Sequence, residues 1–163
     1  MTTSDQLNNI LFQLMSAPEI FKAVKQDRSL LNPMIEEFSR LDPAVTFLFR
    51  VASADTLIGG QEIKKSETVF ISSHCINRDP DEFEDPNRPN LFRENLYRHF
   101  TYGFGAHHCL GARLARMEIE GVFSFIFSRF LKIELELNHL PVRDHYSLSF
   151  SGFKSLPIVV SEA

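Results

Sequence analysis

The stretch Tyr-Gly-Phe-Gly-Ala-His-His-Cys-Leu-Gly at 102–111 crowds three glycines and two histidines around Cys109, one of only two cysteines in the chain. Gly103, Gly105 and Gly111 lack a Cβ, so backbone there can approach a flat ligand closely. A helical pattern begins just after Cys109. The positive end of a helix favours negative charge on a neighbouring sulfur, and so favours a thiolate. His107, two residues before the cysteine, supplies a polar or cationic group suited to the acid groups of a ligand.

Three chemistries are open to such a cysteine. An isolated cysteine in a glycine-rich turn is most often a small buried side chain. A zinc site needs three or four ligands; His74-Cys75 and His108-Cys109 could supply four, but no Cys-x-x-Cys pair is present. A thiolate at a helix N-terminus suits a soft or borderline metal, including haem iron.

These residues need elements to position them, and the composition supports a packed fold. Hydrophobic residues make up 44% of 163 and charged residues 23%, which places the chain among globular proteins. The net charge of -4 with scattered basic residues argues against nucleic acid as a partner. No apolar run reaches the roughly 18 residues of a membrane span, and Asp5, Asn8 and Asn9 interrupt any secretory pattern. Two cysteines make no disulfide framework, so a reducing cytoplasm is the expected home.

Leu7, Ile10, Leu11 and Leu14 recur at helical spacing. Ser16 with Glu19 reads as a capping box for a second helix, and Asn32 with Pro33 opens a third, which Asp42-Pro43 ends. Thr-Phe-Leu-Phe-Arg-Val-Ala-Ser-Ala at 46–54 and Glu-Thr-Val-Phe-Ile-Ser-Ser at 67–73 read as strands, and Gly59-Gly60 as a hairpin turn. Residues 77–98 form a long proline- and acid-rich loop, whose Phe83, Leu91, Phe92 and Leu96 predict that it packs down. After Cys109, a stripe of Ile119, Val122, Phe123, Ile126, Phe127 and Phe130 predicts a long helix. Apolar residues off the stripe predict burial nearly all round it. Lys-Ile-Glu-Leu-Glu-Leu at 132–137 and Ser-Leu-Pro-Ile-Val-Val at 155–160 predict closing strands. The expected fold is one domain over 1–163, mainly α with a small antiparallel β region.

The cysteine loop is similar to the haem-binding loop of the cytochrome P-450 family, Phe-Gly-x-Gly-x-His-x-Cys-Leu-Gly, with Tyr102 in place of the first Phe. The resemblance extends over essentially the whole chain. It implies the carboxy-terminal part of that fold and haem b (iron protoporphyrin IX), with Cys109 as axial ligand of the iron. Glu-Glu-Phe-Ser-Arg resembles the family's Glu-x-x-Arg helix, which implies a buried structural ion pair of Glu37 and Arg40; without the resemblance, that pair reads as an exposed helix pair worth a few tenths of a kcal/mol. The resemblance also implies that Arg50, His99 and His107 hold haem propionates.

Members of the family are more than twice as long. Thr2-Thr3 resembles the end of their oxygen-activating helix, with Met1 where an acid belongs, so Thr2 and Thr3 are the residues expected on the distal side. A truncated distal helix predicts an exposed apolar patch around Ile10 to Leu14. The implied activity is that of a haem-thiolate monooxygenase, inserting oxygen into a small organic substrate. An amino-terminal half polypeptide, or self-association, is expected to complete it. The alternatives are a non-catalytic or peroxide-consuming haem-binding module, and a partial gene product without function. The family also implies an electron donor, a ferredoxin or flavoprotein reductase, for which Arg93, Arg98, Arg113 and Arg116 could form a basic patch. Ala-Val-Thr-Phe-Leu-Phe at 44–49 and Ser-Gly-Phe-Lys-Ser at 151–155 are expected near the substrate pocket.

Overall fold

The helices run α1 Thr2–Met15, α2 Pro18–Gln26, α3 Leu31–Leu41, α4 Ser73–Ile76 and α5 Ala112–Arg129 in a computed structural model that describes residues 2–144 and 147–162. Met1, read above in place of an acid, lies outside the described residues. α3 is the central element, with every residue from Met34 to Leu41 buried. Its Met34, Ile35 and Phe38 meet Ile10 and Leu14 of α1, Val24 of α2, and Ile119, Phe123 and Phe127 of α5 in one cluster. Burial of each such side chain contributes about 1.5–3 kcal/mol.

The apolar patch expected around Ile10 to Leu14 is not exposed: Ile10 and Leu14 are fully covered by this cluster. The polar residues of the same helix are also recruited. Gln6 and Asn9 donate side-chain N–H bonds to the Asp42 carbonyl at 3.0 and 3.3 Å, and Gln6 Oε1 accepts from Ala44 N–H at 2.9 Å. These bonds satisfy groups at the C-terminal end of α3 that the helix itself leaves unpaired.

Two expected helix starts shift. Ser16 does not cap α2; its hydroxyl donates back to the Phe12 carbonyl, and Ala17 stands at the cap with Pro18 opening the helix. Asn32 does not cap α3, because a 3-10 turn over Arg28–Leu30, capped by Asp27 accepting from Ser29 N–H at 2.9 Å, leads directly into it. The expectation that α5 is buried nearly all round is also corrected. Ala112, Ile119, Phe123 and Phe127 face the core, whereas Leu114, Met117, Val122 and Phe125 are exposed.

The strands pair two by two, all antiparallel. β1 Phe47–Val51 pairs with β4 Thr68–Ser72, Phe49 opposite Phe70. Between them lies the hairpin β2 Thr56–Ile58 and β3 Gln61–Ile63. It turns at Gly59-Gly60, as expected, with φ +58° and +82°, a conformation that glycine adopts without strain. β5 Phe130–Leu135 pairs with β8 Ile158–Glu162, and β6 Val142–Arg143 with β7 Phe153–Ser155. In the long loop, Phe83, Leu91 and Leu96 are buried, while Phe92 is exposed. Among the described residues no helix is long and apolar enough to cross a membrane. The mainly helical fold with small antiparallel sheets matches the expected class.

Candidate functional site

The cysteine loop is built from local backbone bonds. Cys109 N–H donates to the Tyr102 carbonyl at 2.9 Å, His108 N–H to Gly105 at 3.0 Å, and Ala112 N–H to Cys109 at 3.2 Å. This winding needs left-handed backbone at Gly103 (φ +70°) and Gly105 (φ +74°), where any other residue is strained. Gly111 has an ordinary φ of -85° and caps α5 with no side-chain cap of its own. A Cβ there would lie 4.0 Å from Cys109 Sγ, an ordinary van der Waals contact. Cys109 is exposed and free, as is Cys75, so the ordinary reading of Cys109 as a buried thiol does not hold. The described residues contain no group of three or more His, Cys, Asp or Glu that could hold a metal, which removes the four-ligand zinc alternative.

A cavity of about 440 Å³ opens in front of the cysteine. Cys109, Gly103, Gly111, His107 and Arg50 line it on one part, and Thr2 and Thr3 reach it from α1. Ala44, Val45 and Leu48 supply apolar wall, as the 44–49 segment predicted. The 151–155 segment does not: Ser151 lines a separate cavity beside Arg143 and His74. Gly105 is not among the lining residues, and its place in the site is conformational.

His99 does not line the cavity either. Its Nε2–H donates to Glu36 Oε2 at 2.9 Å, and its Nδ1 accepts from Thr101 N–H at 3.4 Å, so both ring nitrogens are taken inside the protein. The propionate role expected of His99 is therefore corrected to a buried contact with α3.

Two carboxylates of α3 organise the ground beneath the loop. Glu37 and Arg40 are fully buried and joined by two bonds of 2.8 Å, as the resemblance implied. Glu37 Oε1 also accepts from Arg93 Nε and from Asn90 N–H, each at 2.9 Å. Arg40 donates to the carbonyls of Asn77 and Pro86, which ties down the long loop. Burial pushes the Glu37 carboxyl up, but the Arg40 and Arg93 bonds and charge outweigh it and hold it below the usual carboxylate range.

Its neighbour Glu36 accepts from Arg116 Nε and Nη2 at 2.6 and 2.8 Å as well as from His99. Burial raises its pKa, yet the hydrogen bonds and charges of Arg116 and His99 bring it down to about 2. The Arg116 guanidinium lies 4.1 Å over the Tyr102 ring. The Tyr102 hydroxyl is buried, and burial pushes its pKa up. The expected basic patch is reduced to Arg98 and Arg113, which stay exposed. Arg93 is buried on Glu37, Arg116 is half-buried on Glu36, and Arg98 is paired with Glu82 at 3.1 Å.

Glu36, Arg93 and Arg116 as structural partners were not singled out from sequence. The one hint was an adjacent Glu-Glu pair in an otherwise core-facing helix.

The family model for cytochrome P-450 matches residues 1–153. The chain belongs to the cytochrome P-450 family. Pulcherriminic acid synthase from Bacillus subtilis is 38% identical over 78% of this chain and 34% of its own length. A polyketide biosynthesis cytochrome P-450 from the same organism is 33% identical over 99% of this chain and 40% of its own. The solved structure of a substrate-free Mycobacterium marinum cytochrome P-450 superposes with a TM-score of 0.94 at 30% identity, covering 99% of this chain and 41% of that one. The chain thus spans about a third to two fifths of the length of these relatives.

The cytochrome P-450 family implies a haem cofactor, and the residues at the cavity fit one. The donor set is a free thiol with an arginine and a histidine, a soft ligand for iron and two partners for acid groups. The glycine wall is a cradle that side chains would fill. A Cβ at Gly103 would lie 3.8 Å from Leu48 Cδ1 and from the His107 carbonyl.

Proposed function

We propose that this chain is the haem-binding portion of a cytochrome P-450 monooxygenase, with haem b held by Cys109 as thiolate ligand. Arg50 and His107 hold the propionates, and Gly103 and Gly111 keep the cavity wall flat. The observation that supports this reading best is convergence: Thr2, Thr3, Arg50, His107 and Cys109, spread over most of the sequence, line one cavity.

When bound, thiolate-ligated haem supplies electron density that favours O–O cleavage. The chain's own residues prepare that chemistry. Cys109 is set by its N–H bond to the Tyr102 carbonyl, just ahead of the N-terminus of α5. The hydroxyls of Thr2 and Thr3, on the part of the cavity formed by α1, can hold or pass a proton on the distal side. Ala44, Val45 and Leu48 exclude water from the wall. Oxygen insertion into a small organic substrate, with electrons from a ferredoxin or flavoprotein reductase, requires further polypeptide beyond the portion the chain shares with its relatives, either the rest of a longer chain or a separate partner.

The test is the reduced carbon-monoxide difference spectrum of the haem-loaded chain. The expected result is the strongly red-shifted Soret band of a thiolate ligand, lost in Cys109→Ser. A Cys109→Ser protein with an unaltered spectrum rules out this cysteine as the ligand.

A further inference from the structure

We infer that Glu36, His99 and Arg116 form a clasp that positions the Cys109 loop, an inference that rests on Cys109 being the haem ligand. One carboxylate grips both flanks of the loop. On the amino-terminal flank, His99 Nε2–H donates to Glu36 Oε2 at 2.9 Å. On the carboxy-terminal flank, Arg116 on α5 donates to both Glu36 oxygens, at 2.6 and 2.8 Å. The loop between these flanks is thereby closed onto α3, the most deeply buried helix.

The clasp also reaches the cysteine's own backbone. The Arg116 guanidinium lies 4.1 Å over the Tyr102 ring, and the Tyr102 carbonyl accepts the Cys109 N–H at 2.9 Å. Glu36 thus acts on Cys109 through Arg116 and Tyr102. The Glu37–Arg40–Arg93 network is separate: it ties the long loop and shares no bond with the clasp. A flat, forked cation is required at position 116, because only arginine gives two parallel bonds to a carboxylate while stacking on a ring. Glu36, His99 and Arg116 are positioning residues, since none of them lines the cavity.

The experiment uses the full chain with Glu36→Gln, Arg116→Met and Arg116→Lys. Val24→Ala, a core truncation on α2, serves as a control for lost stability alone. In the haem-free protein, amide hydrogen exchange at Cys109 should speed up about tenfold in Arg116→Met and Glu36→Gln relative to Val24→Ala. Arg116→Lys, which keeps the charge and the fold but not the fork, should fall between. After haem loading, the thiolate-type carbon-monoxide band should decline in the same order. Loop exchange and thiolate fraction equal to those of Val24→Ala in all three variants overturn the clasp. A wild-type protein without any thiolate band overturns the ligand reading instead, and the exchange comparison then judges the clasp by itself.

Discussion

Replacing Glu37 by glutamine is the sharpest test of the architecture below the site. The carboxylate accepts four bonds, two from Arg40 at 2.8 Å and one each from Arg93 and Asn90 N–H at 2.9 Å. Glutamine keeps the shape but presents an N–H₂ to donors and removes the only carboxylate among the described residues bonded to Arg40 and Arg93. The side chains of Glu37 and Arg40 are 0% exposed and that of Arg93 is 4% exposed, so water cannot replace the lost charge. Breaking a buried pair from one side costs about 3–5 kcal/mol. Arg40 keeps the carbonyls of Asn77 and Pro86, and Arg93 keeps those of Glu84, Asp85 and Arg88. The lower end, ~3 kcal/mol, is therefore expected. Equilibrium urea unfolding measures it; with a slope of about 1–3 kcal/mol per molar, the midpoint should drop by roughly 1–3 M. The control is Glu62→Gln, whose pairing with Lys64 at 3.1 Å is largely exposed, and it should change stability by less than about 0.5 kcal/mol. If Glu37→Gln costs no more than the control, the pair is solvated and the reasoning fails.

Glu36 makes a pH prediction. Its pKa falls from 4.5 to about 2 on folding, so its stabilisation is complete above pH 4.5 and is lost as pH drops through about 2. At about 1.4 kcal/mol per pH unit this is ~3 kcal/mol, reduced to ~2 because Arg116 is one-third exposed. Urea midpoints taken from about pH 5 down to about pH 2 should show a steeper loss in the wild type than in Glu36→Gln; parallel slopes contradict the assignment. On α5, Phe123→Ala should cost about 3–5 kcal/mol, whereas Phe125→Ala, two residues away on the exposed face, should stay within about 0.5 kcal/mol by thermal denaturation. Gly105→Ala should cost about 1–2 kcal/mol through backbone strain alone, since φ is +74° and nothing lies within 4 Å of the added carbon; a neutral substitution in the same assay would mean the loop does not hold that φ.

The readings that survived from sequence were those set by local rules. Hairpin glycines at 59 and 60, the glycine-wound loop before Cys109, and the α5 pattern all express backbone demands or spacings confined to a few residues. The Glu37–Arg40 pair was legible for the same reason, three residues apart on one helix. Cys109, His107 and the loop glycines were legible from their own types and spacing, whereas Arg50, Thr2 and Thr3 were legible only through the resemblance. The helix starts at Ser16 and Asn32 misled: Ala17 stands at the cap of α2 ahead of Pro18, and a 3-10 turn capped by Asp27 runs straight into α3.

What the tertiary structure alone decided is which partner each charge found. Glu36 and Glu37 are adjacent and chemically alike, but successive helical residues point roughly 100° apart. One therefore meets Arg116 and His99 beneath the cysteine loop, and the other meets Arg40 and Arg93 beneath the long loop. Arg116, Arg93 and His99 look like free surface cations in the sequence, since their counter-charge lies 80, 56 and 63 residues away. Burying a charge demands an opposite charge within hydrogen-bond reach, and only the folded chain determines which one is there.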